Sequence, residues 1–172
     1  PMDVARTAVS IMGLEDKETK DNSPKANMRK VMRIFAKTPV ALAAFYRARK
    51  GKKIISPKKN LSFSENFFYM CFGKVTDKEI VKAFDVSLIL YAEHSFNVST
   101  FTARTITSSL SDIHGAITGA IASLKGPLHG GANEEVMHMM NKIKKPENAL
   151  KWINKALDNK DVVMGFGHRV YK

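Results

Sequence analysis

The most constraining feature of this sequence is that its apolar residues recur at helical spacing along almost the whole chain. The segment 76–94 is the clearest case. Its apolar residues lie three or four positions apart: Ile80, Phe84, Leu88 and Tyr91. Side chains at this spacing share one face of an α-helix. Only 162–166, which reads VVMGF, looks extended. The sequence therefore predicts an all-α fold.

Capping residues and helix breakers indicate where the helices begin and end. Ser23 is placed as an N-cap and Pro24 as a first helical residue. Thr76 and Glu79 have the spacing of a capping box. Pro39 is expected to break or kink a helix. Helices are predicted over 2–14, 23–38, 39–49, 62–73, 76–94, 99–126 with a division at Asp112, 133–143 and 146–159.

Two predicted helices carry apolar stripes that we interpret as parts of the core. The stripes are Val4, Ala8, Ile11 and Met12 in the first helix, and Met28, Val31, Met32 and Phe35 in the second. A stripe rich in methionine can also form a binding surface. Core packing is the favoured interpretation here.

The segment 99–126 is rich in small residues, with Gly115 and Gly119 four positions apart. Small residues on one helix face allow a second helix to approach closely. This pattern predicts a tightly packed helix pair, either within the chain or across a subunit interface.

The formal charge of +12 favours anionic partners, yet the densest basic run has the composition of a loop. That run, 47–60, has seven basic residues and no interleaved aromatic residue for base stacking. The most apolar stretch, 115–124, is about half as long as a bilayer span requires. We therefore expect neither a nucleic-acid nor a membrane partner.

The only cysteine is Cys71, so no internal disulfide can form, as is typical of a reducing compartment.

Two of the five histidines are interpreted as structural or surface residues, namely His114 and His138. His138 follows His129 by nine positions, which places the two on opposite faces of a helix. No histidine or cysteine spacing matches a zinc module, so no metal site is predicted.

The other three histidines have distinctive surroundings. His94 closes the predicted helix 76–94, where the helix dipole favours a charged imidazole that could bind a carboxylate. His129 lies in GPLHGGAN, and the two glycines after it are expected to expose backbone N–H groups at a helix start. His168 lies in GFGHR, whose glycines allow a ligand to approach the backbone. Taken singly, each could also be an ordinary helix end or turn.

Four segments together resemble the citrate synthase family, including 2-methylcitrate synthase of the bacterial type. They are 1–10, 92–104, 111–135 and 162–172. The resemblance implies a homodimer of mostly helical subunits that condenses acetyl-CoA or propionyl-CoA with oxaloacetate. It implies no permanent cofactor, because acyl-CoA is a co-substrate.

The resemblance also implies a role for each distinctive histidine. His94 would bind oxaloacetate, His129 would hold the thioester carbonyl, and His168 would bind and polarise the keto group of oxaloacetate. The backbone of one segment would line the coenzyme A site: Val162, Val163, Met164, Gly165 and Phe166. The homodimer would form through helices in 99–126.

The resemblance implies a division into a large-domain portion, 1–127, and the first part of a small domain, 128–172. The family's catalytic aspartate and an arginine in a DPR motif follow the GFGH motif at a distance, so we expect this polypeptide alone to be inactive. A bacterial-type member would be cytoplasmic, and a eukaryotic one would lie in the mitochondrial matrix. The alternatives are a helical dimerisation module without catalysis and, less favoured, a basic nucleic-acid-binding protein.

Overall fold

A computed structural model describes residues 1–93, 95 and 97–167 of the chain. Across these residues it contains α-helices, one 3₁₀-helix and no strand, so the predicted all-α class is confirmed. The helices are α1 (Met2–Glu15), α2 (Pro24–Ala48), α3 (Phe63–Phe72), α4 (Lys78–Leu90), α5 (Val98–Thr107), α6 (Ile113–Leu124), α7 (Gly131–Ile143) and α8 (Ala149–Asp158), and the 3₁₀-helix is Pro146–Asn148. None of the described helices is long and apolar enough to cross a membrane.

The chain divides into two compact units, Pro1–Ser123 and Leu124–Lys172. The first unit contains α1 to α5 and nearly all of α6. The second contains the end of α6, then α7, the 3₁₀-helix and α8.

The start of α2 confirms its predicted cap, whereas the break expected at Pro39 is wrong. The Ser23 side chain accepts a hydrogen bond from the Ala26 N–H at 3.3 Å, and Pro24 is the first helical residue. The helix then runs through Pro39 to Ala48. Packing on both sides of the proline accounts for this continuity. Phe35 stacks on Phe63 at 4.8 Å before it, and residues after it enter the apolar cluster of Val40, Ala43, Tyr46, Phe67, Met70 and Cys71.

The limits of α4 also differ from the prediction. Its N-cap is Asp77 rather than Thr76, and its last residue is Leu90. The chain turns after Leu90, where the Ala92 N–H donates to the Ile89 carbonyl at 3.1 Å. His94 therefore does not close this helix, and the dipole argument made for it does not apply. A capping box is present instead at the start of α3, between Ser62 and Glu65.

The predicted apolar stripe of α2 is wrong as a core face. Met28, Met32 and Phe35 are 59–64% exposed. The buried residues on this helix are Ala26, Lys30, Ile34 and Ala43. A lysine lies on the buried face because its ammonium group reaches backbone acceptors in the α1–α2 loop. Lys30 Nζ donates to the Asp21 carbonyl at 2.6 Å and to the Thr19 carbonyl at 3.4 Å.

The predicted division of 99–126 at Asp112 is confirmed, because α5 ends at Thr107 and α6 begins at Ile113. Asp112 Oδ1 accepts hydrogen bonds from the His114 and Gly115 N–H groups at 2.9 and 3.0 Å. Gly119 of α6 packs against α5. A Cβ atom there would lie well inside 3.0 Å of Ile106 Cδ1. Gly119 thus supports close helix packing within the chain.

We expect Gly119→Ala to lower the free energy of unfolding by about 1 kcal/mol, because overpacking outweighs the helix propensity gained from alanine. Removing the obstructing methyl with Ile106→Val should cancel most of this cost. Urea unfolding of both single variants and the double variant measures the coupling. An alanine variant more stable than the native chain would show that this helix contact is not tight.

A network of charged side chains holds the turn after α1. Arg33 donates through Nε and Nη2 to the two oxygens of Asp16, both at 2.9 Å, and through Nη2 to Glu18 at 2.7 Å. Arg29 also pairs with Glu18. The buried imidazole of His114 lies 3.5 Å from Asp16 Oδ2 and 3.5 Å from Asp112 Oδ1. These contacts agree with the structural role predicted for His114.

Unfolding by acid should depend on Asp16. Burial alone would raise the pKa of this carboxyl, but hydrogen bonds from the Glu18 N–H and Arg33 hold its pKa below the ordinary value of 3.8. A carboxyl whose pKa is lower in the folded state stabilises the fold above its ordinary pKa, and this stabilisation is lost as the pH falls through the folded pKa. Asp16→Asn should therefore destabilise the chain at neutral pH and much less in acid. Urea unfolding against pH measures this, with exposed Glu15→Gln as the control. An equal loss at every pH would contradict it.

Candidate functional site

His129 lies in a compact turn that joins α6 to α7. Its N–H donates to the Gly126 carbonyl at 3.0 Å. The Gly130 N–H donates to the Leu124 carbonyl at 3.0 Å, and the Gly131 N–H to the Gly126 carbonyl at 3.2 Å. His129 itself is half-buried, two residues before the first residue of α7. The turn thus places the imidazole at a helix start, as the sequence predicts.

The expected role of the glycines after His129 is wrong. The Gly130 and Gly131 N–H groups are not exposed for a ligand, because each already donates to a carbonyl of the same turn. The glycines serve the turn itself. A Cβ atom at Gly130 would lie well inside 3.0 Å of the Leu124 carbonyl oxygen, and one at Gly131 would lie 3.3 Å from the Gly126 carbonyl oxygen. The chemistry available from this turn therefore rests on the imidazole.

The segment 162–166, which looks extended in the sequence, ends in a turn. The Phe166 N–H donates to the Val163 carbonyl at 3.3 Å. Gly165 has φ of +90° and Gly167 has φ of +74°, left-handed conformations that reverse the chain and that glycine adopts without strain. Val162 and Phe166 are exposed, while Val163 and Met164 are half-buried. The turn lies beside α7, since a Cβ atom at Gly165 would be 3.4 Å from Val136 Cγ2.

The two remaining predicted histidines, His94 and His168, lie outside the described residues. The structure therefore places His129 and the turn at 162–166 in one unit, on either side of α7 in the sequence, and leaves the three-histidine set a prediction.

The other two histidines, His114 and His138, have different settings. His114 is buried in the charge network, and His138 is exposed on α7 with Nε2 3.9 Å from Glu134. The part of the chain that is described contains no group of three metal-ligating side chains.

One candidate residue was missed from the sequence. Arg104 lines a cavity of about 200 Å³ at the start of α5, together with Ser95, Asn97, Val98, Thr100 and Phe101. Asn97 caps this helix by accepting from the Thr100 N–H at 2.8 Å. Arg104 lies seven positions after Asn97, two helical turns along the same face. That spacing could have identified Arg104, which brings a permanent positive charge to the cavity that Ser95 also lines.

Comparison with known proteins gives matches over the whole chain. The family model for the citrate synthase C-terminal domain matches residues 1–172. A citrate synthase of Mycolicibacterium smegmatis is 52% identical over 172 residues, which is all of this chain and 46% of that protein. The 2-methylcitrate synthase 2 of Corynebacterium glutamicum is 57% identical over 180 residues, covering 100% of this chain and 46% of that protein.

Solved structures of citrate synthases are also similar to this chain. The citrate synthase of Thermoplasma acidophilum in a ternary complex with carboxymethyl coenzyme A and oxaloacetate has a TM-score of 0.82 and 35% identity, over 99% of this chain and 45% of that one. The citrate synthase of Pyrobaculum aerophilum has a TM-score of 0.81 and 34% identity. The chain spans less than half the length of the curated relatives given above.

Proposed function

Because the chain belongs to the citrate synthase family, we propose that it supplies the histidine-bearing part of an enzyme that condenses an acyl-CoA with oxaloacetate. The observation that carries this proposal is the compact turn that holds His129 at the start of α7, in a chain matched by the family over its full length. Acetyl-CoA and propionyl-CoA both remain candidates, since the relatives include a citrate synthase and a 2-methylcitrate synthase.

His129 acts on the thioester. The α-proton of a thioester is weakly acidic, so its removal needs a donor on the carbonyl oxygen where negative charge develops. The His129 imidazole supplies that donor, because the N–H groups of the turn are already used within it. The proton passes to a carboxylate base. The resemblance assigns that base to an aspartate that follows the GFGH motif at a distance.

The electrophile is a dianion and needs cationic partners together with a donor on its keto group. His94 and His168 fill these roles, with His168 polarising the keto group toward attack by the enol of the thioester. Arg104 adds positive charge to the cavity at the start of α5, which Ser95 also lines. The side chain of arginine stays charged at every pH at which the reaction would run.

Coenzyme A binds along the backbone of Val162, Val163, Met164, Gly165 and Phe166. The support is the turn that Gly165 and Gly167 make possible, which leaves the side chains of Val162 and Phe166 exposed to a ligand. The backbone N–H and carbonyl groups that the turn itself does not use can bind an adenine ring or a pantetheine amide.

The proposal is tested with a chimaera in which this chain replaces the matched segment of the Mycolicibacterium smegmatis citrate synthase. The chimaera should release CoA from acetyl-CoA or propionyl-CoA only when oxaloacetate is present. The 172-residue chain alone should release none. A folded chimaera without turnover would refute the proposal, and would favour the alternative of a helical dimerisation module.

Dimer formation through 99–126 belongs to the same proposal. It is supported by apolar side chains that stay exposed in and after α5, including Phe101 and Leu110 at 71% and 84%. Sedimentation of the purified chain should show a dimer that Phe101→Lys dissociates. An unchanged sedimentation coefficient would remove residue 101 from the interface.

The two units correspond to parts of a large and a small domain. A cytoplasmic location is proposed from the bacterial relatives.

A further inference from the structure

The loop between α2 and α3 carries a concentrated positive charge that the proposed reaction does not use. This basic loop, residues 49–60, has six lysine or arginine residues and no acidic residue. Within the described part of the chain, none of its side chains pairs with a carboxylate. Positive charge that is not neutralised internally attracts and steers an acidic partner.

The backbone of the basic loop is fixed at two points. Arg47 donates through Nε to the Lys53 carbonyl and through Nη1 to the Cys71 carbonyl, the second at 3.2 Å. The Asn66 side-chain amide accepts from the Lys58 N–H and donates to the Lys58 carbonyl, both at 2.8 Å. A loop held in this way loses less conformational entropy when it binds.

Two isoleucines, Ile54 and Ile55, lie among the charged residues of the basic loop. Ile55 is half-buried and faces the body of the unit, since a Cβ atom at Gly73 would be 3.6 Å from Ile55 Cδ1. The neighbouring Ile54 points outward and is 64% exposed. It directly follows Lys52 and Lys53, which are exposed. An apolar contact surrounded by charged residues is the usual composition of a protein–protein interface.

The tyrosines and the arginine that border this loop already make contacts within the chain. The Lys50 ammonium group lies 4.5 Å from the centre of the Tyr46 ring, and the Lys58 ammonium group lies 4.3 Å from that of Tyr69. One face of each ring is therefore covered by a lysine, which reduces the aromatic surface open to base stacking. The Arg47 guanidinium is used on backbone carbonyls. The charges that remain are mainly lysines, which act as flexible point charges rather than bidentate phosphate forks.

We propose that the basic loop is a docking surface for a carboxylate-rich segment of another protein. Aspartate or glutamate side chains of the partner pair with Lys52, Lys53 and Lys59, and an apolar side chain of the partner packs on Ile54. The basic loop belongs to the first unit, and the His129 turn belongs to the second.

The test uses the purified chain and two fluorescent peptides, an oligoglutamate and the same peptide with one central leucine. Binding should be measurable at low ionic strength and weaken at physiological ionic strength. Lys52→Glu with Lys53→Glu should weaken it by about tenfold or more. The matched control, Lys142→Glu with Lys151→Glu, changes the net charge equally on exposed lysines of α7 and α8 and should weaken binding by less than about twofold.

The apolar contact has its own readout. The leucine peptide should bind the native chain more tightly than oligoglutamate, and Ile54→Ser should remove that difference. Equal weakening by both charge-reversal pairs would show that net charge alone causes binding, and would overturn the proposal. Tighter binding to single-stranded DNA, or to vesicles of anionic lipid, would overturn it as well, because either would assign the loop to a different class of partner.

Discussion

Replacing His129 with alanine in the chimaera is expected to lower kcat for CoA release by about 10²- to 10³-fold, the usual cost of removing one donor to a developing oxyanion. The KM for oxaloacetate should change little, because His94 and His168 hold that substrate in the proposed mechanism. Initial rates at varied oxaloacetate and acyl-CoA measure both constants. The turn itself should survive, since the N–H groups of His129, Gly130 and Gly131 all donate to backbone carbonyls.

The chain supplies a matched control for this experiment in His138. This histidine lies on the following helix, is exposed, and has only a distant pairing with Glu134 at 3.9 Å. His138→Ala should leave kcat and KM unchanged. An equal fall in kcat for both variants would indicate a general effect on folding, and an effect of His129→Ala on KM alone would assign His129 to substrate binding rather than to the reaction step.

Helix content was predictable because apolar spacing and capping are local properties. Ser23, Pro24 and Asp112 have the roles that their positions indicate. Pro39 misled the prediction, since a proline's local cost was outweighed by packing of α2 against α3 on both sides of it. Tertiary contacts of this kind leave no signature within a short window of sequence.

The buried face of a helix proved harder to predict than the helix. Apolar spacing selected Met28, Met32 and Phe35 for the core of α2, and the structure buries Ala26, Lys30 and Ile34 instead. A hydrophobic pattern cannot select a lysine, because burial of its ammonium group depends on carbonyls that another part of the chain provides.

The candidate site shows a similar division. The position of His129 before a helix was predictable from its glycine-rich surroundings. The use of the Gly130 and Gly131 N–H groups was not, because their acceptors are carbonyls of Leu124 and Gly126 that only the folded turn brings close. Gly165 and Gly167 were interpreted as allowing a ligand to approach, whereas they first allow the chain itself to turn.

Lys30→Met should lower the free energy of unfolding by about 2–3 kcal/mol, one of the largest single-residue effects expected in this chain. The Lys30 side chain is fully buried. Its ammonium group donates to the carbonyls of Thr19 and Asp21, which hold the α1–α2 loop against α2. Methionine has a similar length but cannot donate, so the carbonyls of Thr19 and Asp21 both lose a charged donor.

Urea unfolding followed by circular dichroism measures this change, with Lys37→Met as the control. Lys37 lies on the same helix, is exposed, and forms no ion pair or hydrogen bond with any described residue, so its replacement should change the free energy of unfolding by less than about 0.5 kcal/mol. Equal stability of the two variants would mean that water satisfies the Thr19 and Asp21 carbonyls as well as the ammonium does. The loop would then be held by the contacts of Arg33 with Asp16 and Glu18 and by the pairing of Arg29 with Glu18.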